Sequence, residues 1–183
     1  MVRVGRTVVA LGMTIVLAGL AEPVEAPRPT EYEVKAAFLY NFAKFVKWPD
    51  EKGLGATFVI AVLGEDPFGG VLDRTLAGKT ILDRKVEVRR IGSPEAGSRA
   101  QILFVGSSEK VRLAEILKAL QGSTVLTVGE TEDFTDRGGM IAFRLRNDVV
   151  RFDINLDQVE RARLKMSSQL IRLARNVIGK SGL

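Results

Sequence analysis

The sequence predicts one three-layer α/β domain, with a mainly parallel sheet of about five strands and a C-terminal antiparallel hairpin. Three observations carry that prediction. Between Phe58 and Val128, short apolar runs alternate with amphipathic stretches in the order strand, helix, strand, helix, strand. Crossover connections of a parallel sheet produce this alternation. Beyond it, Met140–Leu145 and Val149–Ile154 flank Arg146-Asn147-Asp148, a turn sequence suited to an antiparallel hairpin. Finally, 183 residues with 46% hydrophobic content suffice for one core, whereas two domains would each be small.

Residues 1–21 read as a secretory signal. Arg3 and Arg6 form a basic start, Thr7–Leu20 an apolar core, and Gly19 and Ala21 suit a peptidase. The apolar run falls short of the roughly 20 residues of a membrane span, which favours a cleaved signal over the alternative of a retained N-terminal anchor. Residues 22–30 hold three prolines and no apolar period, and read as a linker. The single α/β domain is expected over 31–183, in the periplasm. Loss of the two signal arginines takes the net charge from +5 to +3, a weak balance that gives no case for nucleic acid.

The domain opens with a helix ending at Trp48-Pro49, in which Phe38, Leu39, Phe42, Phe45 and Val46 fall at helical spacing. Thr30 and Glu33 have the spacing of a capping box. Six of the twelve aromatic residues lie between Tyr32 and Trp48, so this helix is expected to supply core mass against the sheet. Phe58–Leu63 follows as a buried strand. Asp66-Pro67 then reads as an N-cap and first helical residue for a helix from about Phe68 to Leu76. Lys85–Ile91 alternates like a less buried strand, while Ile102–Val105 and Thr124–Val128 read as buried ones. Glu109–Leu120 lies between these two as a helix, with Ser107 or Ser108 as its cap. Leu156–Ala162 and Lys165–Ile178 close the chain as helices, the first capped by Asn155. Expected core residues are Phe38, Leu39, Phe42, Val59, Ile60, Val62, Leu103, Phe104, Leu126, Phe143 and Ile171.

The chain has no Cys and no His. Thiolate or imidazole zinc sites, Cys-His dyads, Ser-His-Asp triads and disulfides are therefore excluded. The loop Gly64–Gly70 stands where α/β folds place ligands. It lacks the Lys and Ser/Thr of a phosphate loop, and Glu65 and Asp66 would repel an anion. Ser107-Ser108-Glu109-Lys110 has the residues of a Ser-Lys pair, yet capping explains them more simply. No catalytic constellation, cofactor or metal site is expected.

In order along the chain, KAAFLYNFAKFVKWP (35–49), VLGEDPFG (62–69), ILFVGSSE (102–109), VLTVGETEDFTDRGGMIAF (125–143), VRFDINL (150–156) and LKMSSQLIRLA (164–174) resemble the YfiR-like family of exported bacterial proteins. The resemblance covers Tyr32 to about Ala174. It implies a Rossmann-like domain, a homodimer and no catalytic activity. It also implies a periplasmic repressor that binds the periplasmic part of an inner-membrane diguanylate cyclase. The resemblance further implies an outer-membrane lipoprotein that relieves the repression by sequestering the repressor. Family members often carry Cys-His where this chain has Ala100-Gln101, so redox control through such a thiol is closed here. A competing expectation is a small-molecule sensor with its ligand in a crevice near Gly64–Phe68.

From residue 160 onward, Arg161, Arg163, Lys165, Arg172, Arg175 and Lys180 face Glu160 alone. A solvated helix face explains this run most simply; its functional reading places the expected partner surface on Phe152, Asp153, Asn155, Gln169, Arg172 and Arg175, docking onto an acidic face.

Overall fold

A computed structural model describes residues 28–51, 53 and 55–179. The expected signal, residues 22–27 of the linker and Lys180 lie outside the described residues. Helix α1 (Glu31–Phe45) starts as the sequence predicts, since the Thr30 hydroxyl accepts from Glu33 N and the Glu33 carboxylate accepts from Thr30 N. It ends earlier than Trp48. Val46 adopts extended φ/ψ, and β1 (Val46–Lys47) pairs antiparallel with Lys165–Met166 from the far end of the chain. Tertiary pairing overrides the helical period there.

The remaining elements are β2 (Thr57–Leu63), α2 (Gly70–Leu76), β3 (Thr80–Ile81), β4 (Arg84–Ile91), α3 (Pro94–Gly97) and β5 (Ile102–Val105). A 3₁₀ turn (Ser107–Glu109) leads to α4 (Leu113–Ala119), β6 (Leu126–Gly129), β7 (Ile141–Arg146) and β8 (Val149–Asn155). The chain closes with α5 (Leu156–Arg161), β9 (Lys165–Met166), α6 (Ser168–Leu173) and β10 (Asn176–Ile178). The main sheet has the order β10-β8-β7-β6-β5-β2-β4-β3. Every neighbouring pair is parallel except β3–β4 and β7–β8. The two-residue turns in both antiparallel hairpins have positive φ, at Leu82-Asp83 and Asn147-Asp148, as the right-handed strand twist favours.

Both faces of the sheet are covered. Phe58, Ile60 and Val62 of β2 pack into a core shared with α1, α2 and α5, while Val59, Ala61 and Leu63 face a second core with α4. That double burial is why β2 reads as an unbroken apolar run. In the first core, Phe42 stacks on Phe143 at 5.7 Å between ring centroids and meets Phe152 edge-on at 5.1 Å. Of the expected core residues only Phe38 and Ile171 stay partly exposed.

Three local expectations are corrected. Neither Ser107 nor Ser108 caps α4, which begins at Leu113 after a 3₁₀ turn instead of at Glu109, and Ser108 Oγ accepts from Glu65 N. Asp66 does not cap a helix from Phe68. Its Oδ1 accepts from Phe68 N in a turn, and α2 begins at Gly70 after Gly69 at φ 53°. The predicted helix Lys165–Ile178 is three elements. Lys165–Met166 pair with β1, Ser167 caps α6 by accepting from Leu170 N, and Asn176–Ile178 run parallel to β8. Leu170, Ile171, Ala174, Val177 and Ile178, which fall at helical spacing in the sequence, are thus divided among the helix, its C-cap Ala174 and the strand.

Candidate functional site

The charges buried most deeply gather where α1 crosses β6, β7 and β8. Lys35 lies one turn before Leu39 on the buried side of α1 and is 3% exposed. Its ammonium donates to Glu130 Oε2 at 2.6 Å, pairs with Glu31 one turn earlier, and sits 4.5 Å from the Tyr32 ring centroid. Burial lowers the Lys35 pKa, but the hydrogen bonds it donates to both carboxylates outweigh it and hold the group above the ordinary lysine value.

Next to Glu130, the Thr131 carbonyl accepts from Arg144 at 3.0 Å. Arg144 Nε also donates to Asp153 Oδ2 at 2.7 Å, and Arg175 binds the same carboxylate through Nε and a terminal nitrogen at 2.8 and 2.6 Å. Burial raises the Asp153 pKa, and the bonds from Arg175 and Arg144 more than reverse this, leaving it below the usual carboxylate range. Asn155 Nδ2 donates to Thr135 O at 2.9 Å, while its Oδ1 accepts from Gln158 N at 3.2 Å, capping α5. Lys35, Arg144 and Asn155 thereby pin the connection Glu130–Met140 at three points. Phe134 plugs it from within, packed so closely on Gly129 and Gly139 that a Cβ at either would collide with the ring.

Asn155→Ala is expected to cost about 1–3 kcal/mol, because it removes a helix cap and one of the two hydrogen bonds on the buried Thr135 carbonyl, which keeps only Gly138 N. Urea unfolding measures this directly; a loss of only a few tenths of a kcal/mol would mean that water replaces both bonds.

This network orders the fold and carries no nucleophile–base pair. Among the described residues, no cluster of three or more His, Cys, Asp or Glu side chains could hold a metal ion. The six residues expected to face a partner divide. Phe152, Asp153 and Asn155 are interior: Phe152 in the aromatic cluster, Asp153 between two arginines, Asn155 under the loop. Gln169 and Arg172 are exposed on α6. Arg175 joins the two groups, with 42% of its side chain exposed and its guanidinium locked to Asp153. Lys35, Glu130 and Arg144 escaped the sequence reading. The available signal was a lysine on the same helical stripe as Leu39 and Phe42, where a charge must find a partner.

The loop Gly64–Phe68 is closed by the protein's own groups. Arg90 pairs with Asp66 at 2.9 Å and with Asp73, and donates to the Gly69 carbonyl at 3.0 Å. Ser108 Oγ accepts from Glu65 N at 2.9 Å, and Phe68 packs edge-on against Tyr32 and Phe104.

Solved structures share the architecture. A conserved domain protein from Vibrio cholerae O1 biovar El Tor superposes with a TM-score of 0.58 at 8% identity, covering 81% of this chain and 60% of that one. An ABC domain in complex with L-Trp from Streptococcus pneumoniae gives a TM-score of 0.51 at 11% identity, covering 66% and 55%. The chain thus spans between half and two thirds of the length of each, and identities this low speak for the fold alone. Residues 32–175 match the YfiR/HmsC-like family model, so the chain belongs to that family.

Proposed function

We propose that this protein is an exported regulatory binding protein that restrains a membrane-bound diguanylate cyclase, or a similar envelope sensor, by binding its periplasmic part. The observation that carries the reading is the family match over residues 32–175. Kinship also supports a homodimer as the acting form and an outer-membrane lipoprotein as the antagonist. A buried polar network whose charges pair with one another suits a protein that acts by presenting a fixed surface.

Deleting the gene is expected to raise cellular cyclic-di-GMP, and re-expression of the wild-type chain to lower it. The mature chain is expected to co-purify with the periplasmic domain of the cyclase. Unchanged cyclic-di-GMP after deletion would sink the proposal. Export has its own check. Mass spectrometry of the periplasmic fraction is expected to find a chain beginning near Glu22, whereas a chain that keeps Met1 in the membrane fraction contradicts a cleaved signal.

A further inference from the structure

β8 is covered unevenly. On one side β7 pairs with it from Val149 to Ile154. On the other, β10 reaches only Asp153–Asn155, and Arg175 N adds one bond to the Phe152 carbonyl at 2.8 Å. Val149–Arg151 therefore form a strand edge with no ladder partner among the described residues. Ladder groups of alternate residues share a side, so the N–H and C=O of Val150 face the same open direction as the Phe152 carbonyl.

The two faces beside this edge differ in chemistry. On the α1 side, Phe38, Val150, Phe152 and Leu173 line, with Arg151, a recess of about 80 Å³. Leu173 is 64% exposed there, and Leu145 across the hairpin is also exposed. The side chains of Arg146 and Arg151 stand on the opposite face, while Arg172 is exposed on α6, which packs on the α1 side. None of these three arginines has an ion-pair partner among the described residues, and Asp148 at the hairpin tip is the one acid in the stretch 144–152.

We infer that this edge receives an extended, acidic segment of a protein partner, which adds a strand beside Val149–Arg151 in the line of β10. Side chains alternate across an added strand. Its apolar residues fill the recess at Phe38 and Leu173, and its carboxylates meet Arg151 and Arg146. Charge selects this occupant over a second copy of the chain, because edge-to-edge self-pairing sets Arg151 and Arg146 against their own counterparts. The inference rests on the regulatory reading and gives the partner a chemistry.

The test uses the full mature chain and a labelled decapeptide of alternating valine and glutamate, followed by fluorescence anisotropy. Saturable binding is expected, weakening as salt rises, with at least tenfold lower affinity for the counterpart of alternating valine and lysine. Arg151→Glu is expected to lower the affinity at least tenfold with circular dichroism unchanged. Bound peptide should slow amide exchange at Val150. Equal binding of the two peptides, or protection elsewhere on the chain, overturns the inference. So does self-association that Arg151→Glu abolishes, since the occupant is then a second copy. If Arg151→Glu loses the peptide yet still restrains the cyclase, the edge inference fails and the regulatory reading stands. If the peptide binds the edge while deletion leaves cyclic-di-GMP unchanged, the regulatory reading fails alone.

Discussion

Lys35→Met is expected to lower the stability of the fold by about 3–5 kcal/mol, the range for removing one partner from a buried ion pair. Methionine has a similar length, so the loss comes from the charge left behind. Glu130, with 10% of its side chain exposed, is then a buried carboxylate without a cation, while Glu31 retains more water and suffers less. Adding Glu130→Gln should recover much of the loss, because a neutral amide costs less to bury than a stranded charge. Urea midpoints of the four proteins in the cycle decide it: additive losses would show that the two side chains act independently. A pH signature follows as well. The folded-state pKa of Lys35 is raised, so its contribution is complete below the unfolded value of about 10.4 and is lost as pH rises through the folded value. The wild type is expected to show an alkaline loss of stability that Lys35→Met lacks.

Lys35 also shows why part of the site was hidden. Nothing in the order of residues says that Glu130, 95 positions later, lies beside α1. Local chemistry was readable at several places where neighbours in sequence are neighbours in space, though not at Asp66 or at Ser107-Ser108. Thr30 and Glu33 cap α1, Asn147-Asp148 turn the hairpin, and Asn155 caps α5. β2 was legible because burial on both faces demands an unbroken apolar run.

The C-terminal helix was not legible, for a physical reason. Its residues satisfy a helical period, but β1 and β8 offer unpaired edges that Lys165–Met166 and Asn176–Ile178 complete. Satisfying those backbone groups outweighs the small helix propensity of a few residues. The Ser167-Ser168 pair was the overlooked local sign, since Ser167 is the cap of α6. The basic run was legible as composition, but its roles were not. Arg175 is spent on Asp153, whereas Arg172 remains on the surface.

Asp153→Asn is expected to cost about 3 kcal/mol, the lower end for breaking a buried pair. The shape is kept and only the charge is lost. Arg144, with 12% of its side chain exposed, is left buried without its anion, while Arg175 can turn to water and so limits the damage. The sign of the pH effect is fixed by the depressed carboxyl pKa. The contribution of Asp153 is present above the unfolded value of about 3.9 and disappears as pH falls through the folded value. Below that, wild type and variant should converge in stability, so Asp153→Asn flattens the acid limb. A local effect accompanies the global one, because Arg175 leads directly into β10. Freed from Asp153, the short strand Asn176–Ile178 keeps only its ladder to β8, and amide exchange at Val177 is expected to quicken more than at Ile60 in the sheet centre. The open edge of β8 then lengthens from Arg151 toward Asn155. If acid limbs and Val177 exchange match the wild type, the two arginines do not hold β10 through this carboxylate, and its docking must rest on the Arg175 backbone bond and the apolar contacts alone.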